Sequence, residues 1–276
     1  MTTASRIEYF GIEKKELRDE LDYHLENLEM KGFTVIEDVL SESQCADLAS
    51  RMDKLNEAQN KKFGVARLKE LKDYGVIRDM LCEDETFLQL VIHPMALAIV
   101  ERTIGSTAIL HLQNGIVLEP HTKHDQAAFH RDFSKDFVCE KVLAMNTMFV
   151  IDEFSPATGG TWIVPFTHKN RVVPSDRYME ENGIQITAKR GSLFVFDGLL
   201  VHKAGDNKSP NYRRAINHQY TRPFIKQQLD YVGLMDGRIE TESKLGQVMG
   251  FWSRPPRSVE EYRVDPDKRT YRKGQG

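Results

Sequence analysis

Cysteine is scarce in this chain of 276 residues, and the three cysteines present, Cys45, Cys82 and Cys139, form no closely spaced pair. An odd number of isolated cysteines does not build a disulfide framework, and structural zinc sites usually draw on paired cysteine ligands. The composition therefore argues against a disulfide-stabilised secreted module and against a zinc-binding module. It is compatible with a reducing compartment.

Long hydrophobic runs and an excess of one charge are also missing. No apolar stretch approaches the roughly 18 residues of a membrane-spanning helix, and the N-terminal segment lacks the apolar core of a signal peptide. The chain has 38 Lys and Arg against 41 Asp and Glu, a net charge of −3 that gives no general attraction to nucleic acid or anionic membranes. We expect a cytoplasmic protein that acts on a small molecule. The sequence leaves its oligomeric state undetermined.

The first hundred residues have mainly helical patterns. Leucines at positions 17, 21, 25 and 28 recur at helical spacing and predict an amphipathic helix over residues 13–30. The sequence Ser41-Glu-Ser-Gln44 resembles a capping box, and residues 86–104 predict another helix, interrupted near Pro94. We expect these helices, with a short strand at residues 33–36, to form an N-terminal layer over about residues 1–106.

From about residue 107, strand patterns replace helical ones. Short apolar segments are separated by turn-forming clusters such as residues 155–160 and 205–210. The segments with strand character are 108–118, 142–151, 161–164, 183–188, 192–196 and 213–220. Successive strands without long intervening helices favour an antiparallel sandwich or jelly roll over a parallel α/β sheet. We predict a single domain, mainly β with α, whose core spans about residues 107–222 and whose C-terminal extension spans about residues 223–276.

The segment Phe129-His-Arg-Asp132 places an imidazole and a carboxylate two residues apart. On an extended backbone these side chains share a face and can reach one ion. Two histidines and one carboxylate, with three positions left open, form the facial triad of non-haem Fe(II) oxygenases. Alone, an H-x-D pattern is equally typical of a surface turn, so a second histidine is needed.

That histidine is supplied by residues 191–202, a hydrophobic strand that ends at His202. After a turn at residues 205–210, the segment Asn211–Ile216 begins the next strand, and a hairpin of this kind can bring Arg213 beside the metal. An arginine there offers a planar fork to the distal carboxylate of a dicarboxylic cosubstrate. Arg213 and Arg214 are each also compatible with a solvated strand position, and His202 with a hydrogen-bonded core position.

Taken together, these motifs resemble the phytanoyl-CoA dioxygenase (PhyH) superfamily. The resemblance extends over about residues 30–255 and includes Ile92-His-Pro94 and the segment Ile151–His168, which is similar to the family's acidic turn, Gly-rich element and PGSH motif. Phe166-Thr167 replaces the Gly-Ser of that motif. The resemblance implies a double-stranded β-helix (jelly roll, cupin-like) core.

The resemblance also implies roles for individual residues. His130, Asp132 and His202 would bind Fe(II), and Arg213, eleven residues beyond His202, would bind 2-oxoglutarate. The hydroxyl of Thr161, which follows two glycines, would donate to the same cosubstrate.

Two glutamines are further candidates for contacts with 2-oxoglutarate. Gln113 lies on the strand that enters the metal-binding loop, and Gln126 lies four residues before His130. For each glutamine, an ordinary polar role in a strand or loop is an equal alternative.

The function implied is that of an Fe(II)- and 2-oxoglutarate-dependent oxygenase that uses O2 and releases succinate and CO2. Hydroxylation of an unactivated C–H bond of a small molecule is the simplest reaction, with desaturation, ring closure and endoperoxide formation as alternatives. An iron halogenase would have a small residue in place of Asp132. A metallo-cupin dioxygenase that does not use 2-oxoglutarate would not need Arg213. A non-catalytic binding jelly roll is expected to have lost a metal ligand.

Overall fold

The computed structural model describes residues 6–123, 128–133, 140–272 and 274–275. The α-helices are α1 (Glu20–Lys31), α2 (Glu42–Phe63), α3 (Val65–Glu70), α4 (Met80–Glu83), α5 (Glu85–Leu90), α6 (Pro94–Thr103), α7 (Asp176–Asn182), α8 (Tyr231–Met235), α9 (Lys244–Val248) and α10 (Val259–Tyr262). The strands are β1 (Arg6–Tyr9), β2 (Ile12–Lys15), β3 (Phe33–Ile36), β4 (Val76–Arg78), β5 (Ile109–Leu118), β6 (Ala144–Val150), β7 (Trp162–Val164), β8 (Ile184–Gln185), β9 (Leu193–Asp197), β10 (Val201–Lys203) and β11 (Arg213–Thr221).

Two antiparallel sheets face each other and form the jelly roll. The larger sheet has the order β3-β9-β6-β11-β5-β4, and the smaller has the order β10-β7-β8. Strands β3 and β4, which lie in the N-terminal part of the chain, complete the two edges of the larger sheet. The β1–β2 hairpin forms a separate two-stranded sheet. The antiparallel jelly-roll core with an added helical layer is thus the architecture that the sequence predicts, although helices occupy more of the described residues than strands do.

Strands β6 and β9 are buried along their whole length, because the larger sheet is covered on both faces. Alternate residues of a strand point to opposite faces. Met145 and Phe149 of β6 therefore pack into the core beneath the helices, whereas Met148 and Val150 pack between the two sheets. This second face also carries the polar residues of the candidate site.

The helical layer agrees with the sequence in kind and differs in one boundary. The capping box of α2 forms between Ser41 and Gln44 as predicted. Helix α1 begins at Glu20, with Asp19 as its N-cap, and not at residue 13. Residues 12–15 instead belong to β2, and Leu17 is 45% exposed, so the first leucine of the apparent stripe is not part of the helix.

The apolar run that ends at His202 is not one strand but two. Strand β9 ends at Asp197, and the chain turns through residues 198–200 before β10 enters the smaller sheet. Phe166, which stands where the resemblance predicts glycine, has a φ of 68° in the left-handed region. That conformation is uncommon for a bulky residue, so the turn before His168 keeps a glycine-like geometry despite the substitution. Among the residues described, no helix is long and apolar enough to span a bilayer.

Candidate active site

The backbone joins the two histidines of the triad directly. The His130 N–H donates to the His202 carbonyl at 2.9 Å, and the His202 N–H donates to the His130 carbonyl at 3.0 Å. This antiparallel bridge extends the smaller sheet beyond β10. The Asp132 N–H donates to the carbonyl of Gly198 at 3.2 Å, so the H-x-D segment is anchored at one end to β10 and at the other end to the turn that precedes it.

The two imidazoles have the same tautomer. Nδ1 of His130 and Nδ1 of His202 each lie 2.9 Å from the carbonyl oxygen two residues earlier, that of Ala128 and Leu200 respectively. A carbonyl oxygen can only accept, so Nδ1 carries the proton and Nε2 presents its lone pair to the centre of the site. Metal-binding histidines typically donate such a hydrogen bond from the ring nitrogen that does not face the metal.

The three side chains converge on one point. Nε2 of His202 lies 3.4 Å and Nε2 of His130 lies 3.8 Å from Oδ1 of Asp132. One ligand atom from each residue lies within 4.8 Å of the others, a separation that one metal ion can bridge. Two imidazole nitrogens and one carboxylate oxygen match the donor set that non-haem Fe(II) prefers. The residues present therefore fit the metal that the motif implies.

Oδ2 of Asp132, the oxygen that the histidines do not approach, is held by two side-chain amides. Asn146 Nδ2 donates to it at 2.6 Å and Gln219 Nε2 at 3.1 Å. Burial alone would raise the pKa of Asp132, but the neighbouring His202 and His130 and the bond from Asn146 hold it below its ordinary value. The carboxylate is therefore ionised at neutral pH and leaves Oδ1 for a metal.

Arg213 is a buried cation that is bonded to no carboxylate in the part of the chain that the structure describes. Its side chain is 2% exposed and lies over the Phe154 ring at 4.5 Å. Its Nη2 donates to the Gly159 carbonyl at 2.6 Å, while its buried Nε has no hydrogen-bond partner among the described residues. Burial lowers the pKa of Arg213 to about 10, although Asp152 opposes the shift. Because burying an uncompensated charge is costly, this position fits an anionic ligand.

A cavity of about 220 Å³ connects the triad with Arg213. Thr161, 5% exposed, also lines this cavity. Apolar side chains, including those of Met148, Ile116 and Phe196, line part of the interior. The structure thus brings His130, Asp132, His202, Arg213 and Thr161 together in one pocket.

The prediction for Gln113 is wrong, because the side chain points to the other face of β5. Its Nε2 donates to the Phe87 carbonyl at 2.9 Å and lies 2.7 Å from His218 Nε2, beneath the helical layer. The pocket-facing residues of β5 include Leu112, Asn114 and Ile116. Gln126, the other glutamine candidate, lies outside the described residues.

Alternate residues of β11 point to opposite faces of the sheet. Arg213, Asn217 and Gln219 line the cavity, whereas His218 faces the helical layer. Arg214 also points away and pairs with Asp152 at 2.7 Å and with Asp53 at 2.8 Å. The two adjacent arginines therefore have different environments.

Several polar residues of the pocket are not apparent from the motifs. They are Arg78, Asn114, Asn146, Asn217 and Gln219. The β11 residues could have been found from the sequence, because they share the parity of Arg213. Arg78 could not, because nothing in a three-residue strand far from the motifs indicates that it becomes the edge of this sheet.

Comparison with known proteins is consistent with this site. The family model for phytanoyl-CoA dioxygenase (PhyH) matches residues 28–215. An uncharacterized protein of Mycobacterium tuberculosis, Rv1501, is 40% identical over 270 residues, covering 95% of this chain and 98% of its own length. The dioxygenase andF of Emericella variicolor is 29% identical over 135 residues, covering 45% of this chain and 46% of its own length.

Solved structures share the fold. AviO1 from Streptomyces viridochromogenes superimposes with a TM-score of 0.55 at 17% identity, covering 75% of this chain and 97% of its own. SnoN, described as a non-heme alpha-ketoglutarate-dependent epimerase from nogalamycin biosynthesis, gives a TM-score of 0.53 at 18% identity, covering 73% of this chain and 82% of its own. The family match, which includes the two histidines and the carboxylate of the site, identifies the chain as a member of the phytanoyl-CoA dioxygenase (PhyH) family of oxygenases.

Proposed function

We propose that this protein is an Fe(II)- and 2-oxoglutarate-dependent oxygenase that hydroxylates an unactivated C–H bond of a small molecule and releases succinate and CO2. One observation carries the proposal: a buried arginine that forms no ion pair with any described carboxylate shares a cavity with two histidines and one carboxylate in metal-binding geometry. A metal site alone would not require that cation.

The chain's part begins with holding the metal. His130 and His202 would bind through Nε2 and Asp132 through Oδ1, which leaves three coordination positions open. When bound, the iron supplies the redox chemistry that couples O2 to decarboxylation of the cosubstrate and oxidation of the substrate. Asn146 and Gln219 hold Oδ2 of Asp132 and so keep Oδ1 directed at the metal.

Arg213 would bind the 5-carboxylate of 2-oxoglutarate, since it lines the cavity and its buried Nε–H has no partner among the described residues. The Thr161 hydroxyl lines the same cavity and would make a second contact. Phe154, against which the guanidinium stacks, excludes water on one side and strengthens the ion pair. These residues would orient the cosubstrate with its other end toward the triad.

Three alternative functions are disfavoured by specific residues. A metallo-cupin dioxygenase that does not use 2-oxoglutarate would leave the buried charge of Arg213 unexplained. A non-catalytic binding jelly roll would have no use for a complete triad whose imidazoles are both oriented by Nδ1 contacts. An iron halogenase would have no carboxylate at position 132.

The test is a substrate screen with the full-length protein, Fe(II) and 2-oxoglutarate. We expect at least one small molecule to raise succinate release above the uncoupled background, with a product that mass spectrometry identifies as heavier by one oxygen atom. Anaerobic titrations of Fe(II) and 2-oxoglutarate are measured in parallel. A protein that binds Fe(II) but shows neither binding nor turnover of 2-oxoglutarate would refute the proposal.

A further inference from the structure

A chain of hydrogen-bonded side-chain amides leads from Asp132 into the cavity. The Asp132 carboxylate fixes which atom of each amide donates and which accepts. Because a carboxylate can only accept, the group of Asn146 that approaches Oδ2 at 2.6 Å is its Nδ2. The other amide atom, Asn146 Oδ1, accepts from Asn217 Nδ2 at 3.0 Å. Asn217 therefore turns its Oδ1 away from this contact. That oxygen is buried and has no hydrogen-bond partner within the part of the chain that the structure describes.

A second hydrogen-bonded chain starts from Arg78, which donates where Asp132 accepts. A guanidinium can only donate, and Nη1 of Arg78 donates to Asn114 Oδ1 at 3.0 Å and to Gln228 Oε1 at 3.4 Å. The amide nitrogen of Asn114 is thereby turned away from Arg78. None of the hydrogen bonds between described residues uses that nitrogen as a donor, so its N–H groups remain available.

The two hydrogen-bonded chains end at neighbouring asparagines. Asn114 of β5 and Asn217 of β11 are direct cross-strand partners, and both line the cavity. Side chains in that relationship have Cβ atoms about 4.5–5.5 Å apart. Asn217 presents an acceptor and Asn114 presents a donor. The charged groups at the start of the two chains, Asp132 and Arg78, fix that assignment.

Only some ligands satisfy both atoms at once. A hydroxyl group can donate one hydrogen and accept another, which matches this pair. At neutral pH, 2-oxoglutarate carries no N–H or O–H, so it cannot donate to Asn217 Oδ1. Other carboxylates and phosphodiesters also lack a hydrogen to donate. Arg78 attracts an anion only weakly, because its Nε is bonded to Asp73 at 3.1 Å and the aspartate offsets its charge. The site therefore favours an uncharged alcohol.

We propose that Asn114 and Asn217 bind a hydroxyl group of the substrate, which donates to Asn217 Oδ1 and accepts from Asn114 Nδ2. The substrate class is an uncharged small molecule that already carries an alcohol near the C–H bond to be oxidised. This inference rests on the proposed function, because it takes the cavity beside the triad as the place where the substrate binds.

The probe is a panel of methyl glycosides, cyclitols and cyclic terpenoid alcohols, each paired with its deoxy analogue and its O-methyl ether. Succinate release by the full-length Fe(II) protein with 2-oxoglutarate is measured for every compound. We expect stimulation by at least one alcohol. Its O-methyl ether, which keeps an acceptor but cannot donate, should have a KM higher by about 5- to 30-fold, as expected for one lost hydrogen bond. The deoxy analogue should have a KM at least as high as that of the O-methyl ether.

The decisive variant is Asn114→Asp. It keeps an acceptor for Arg78, so a purely structural role survives, but it removes the N–H groups that face the cavity. We expect the KM for the active alcohol to rise by a similar factor, with thermal stability and the affinities for Fe(II) and 2-oxoglutarate retained. Asn182→Asp, on the exposed end of α7, is the matched control and should behave like the parent.

Three results would overturn the hydroxyl site: stimulation by none of the alcohols, equal KM values for an alcohol and its O-methyl ether, or an Asn114→Asp variant with the parent's KM. A weaker affinity for 2-oxoglutarate in that variant would also count against it, because Asn114 would then serve the cosubstrate. Failure of the proposed function is separate, since it appears in the parent as absent Fe(II) or 2-oxoglutarate binding.

Discussion

His130 and His202 exchange two backbone hydrogen bonds, of 2.9 and 3.0 Å, although they lie 72 positions apart in the chain. The pairing sets the distance between their imidazoles, whose ring centroids are 4.4 Å apart. The candidate metal site is therefore part of the smaller sheet, and its geometry depends on that bridge as well as on the three side chains.

Replacing any one ligand should remove most of the chelate while the sheet remains. We expect His130→Ala, Asp132→Ala and His202→Ala each to fold and to lose strong Fe(II) binding in anaerobic titrations, because each variant lacks one of the three proposed ligands. His121→Ala is the control, since His121 is exposed. If all three variants bind Fe(II) like the parent, the triad assignment is wrong.

Asn146 should act on the metal through Asp132. Asn146→Leu removes the 2.6 Å donor to Oδ2 and leaves Asp132 with the more distant amide of Gln219. Loss of such an orienting contact commonly lowers metal affinity by about 10- to 100-fold. The measurement is the Fe(II) dissociation constant, with Asn182→Leu as the control. An unchanged constant would mean that Oδ1 is directed at the metal without this amide.

The adjacent arginines of β11 give a matched pair for the cosubstrate. Arg213→Ala should weaken 2-oxoglutarate binding by about 30- to several-thousand-fold, the usual effect of removing one partner of a buried charge pair, and should spare Fe(II) binding. Arg213→Lys should restore only part of the affinity, since an ammonium cannot reproduce the fork.

Arg214→Ala should have little effect on 2-oxoglutarate, because Arg214 is paired with Asp152 and Asp53 on the other face of the sheet. Isothermal titration of the Fe(II)-free and metal-loaded proteins measures both variants. If neither change alters the affinity, 2-oxoglutarate is bound elsewhere or is not the cosubstrate.

Asp197 should make stability depend on pH in the acid range. Burial raises the pKa of Asp197 from 3.8 to about 6, against the opposing effects of the Leu199 N–H, Lys169 and Arg131. Between these values the unfolded chain releases the proton and the folded protein keeps it, so the free energy of unfolding falls as pH rises and is level above about 6.

Asp197→Asn should remove this fall and raise stability at pH 7 by up to about 3 kcal/mol, with Asp267→Asn at an exposed position as the control. Denaturant unfolding at pH 4, 5, 6 and 7 measures the free energy of unfolding of the parent and of both variants. A parent whose stability rises over that range, with Asp197→Asn following the same curve, would contradict the assignment.

The sequence by itself predicted the residues of the candidate metal site and the position of Arg213, in part through the resemblance to the family. An H-x-D segment shares one face whenever it is extended, and alternation along β11 separates Arg213 from Arg214. These are local consequences of backbone geometry, so they could be derived before any distant contact was known. The capping box of α2 is local in the same sense.

Tertiary structure decided which face of β5 meets the cavity and which strand completes its edge. The register of β5 against β11 shifts at Gln219, where His111 is the additional residue, and this pairing turns Asn114 inward and Gln113 toward the helices. Strand β4 contributes Arg78 only because it pairs with β5, opposite Asn114. Register and strand order depend on contacts between distant segments, and no short window of sequence contains both partners of such a contact.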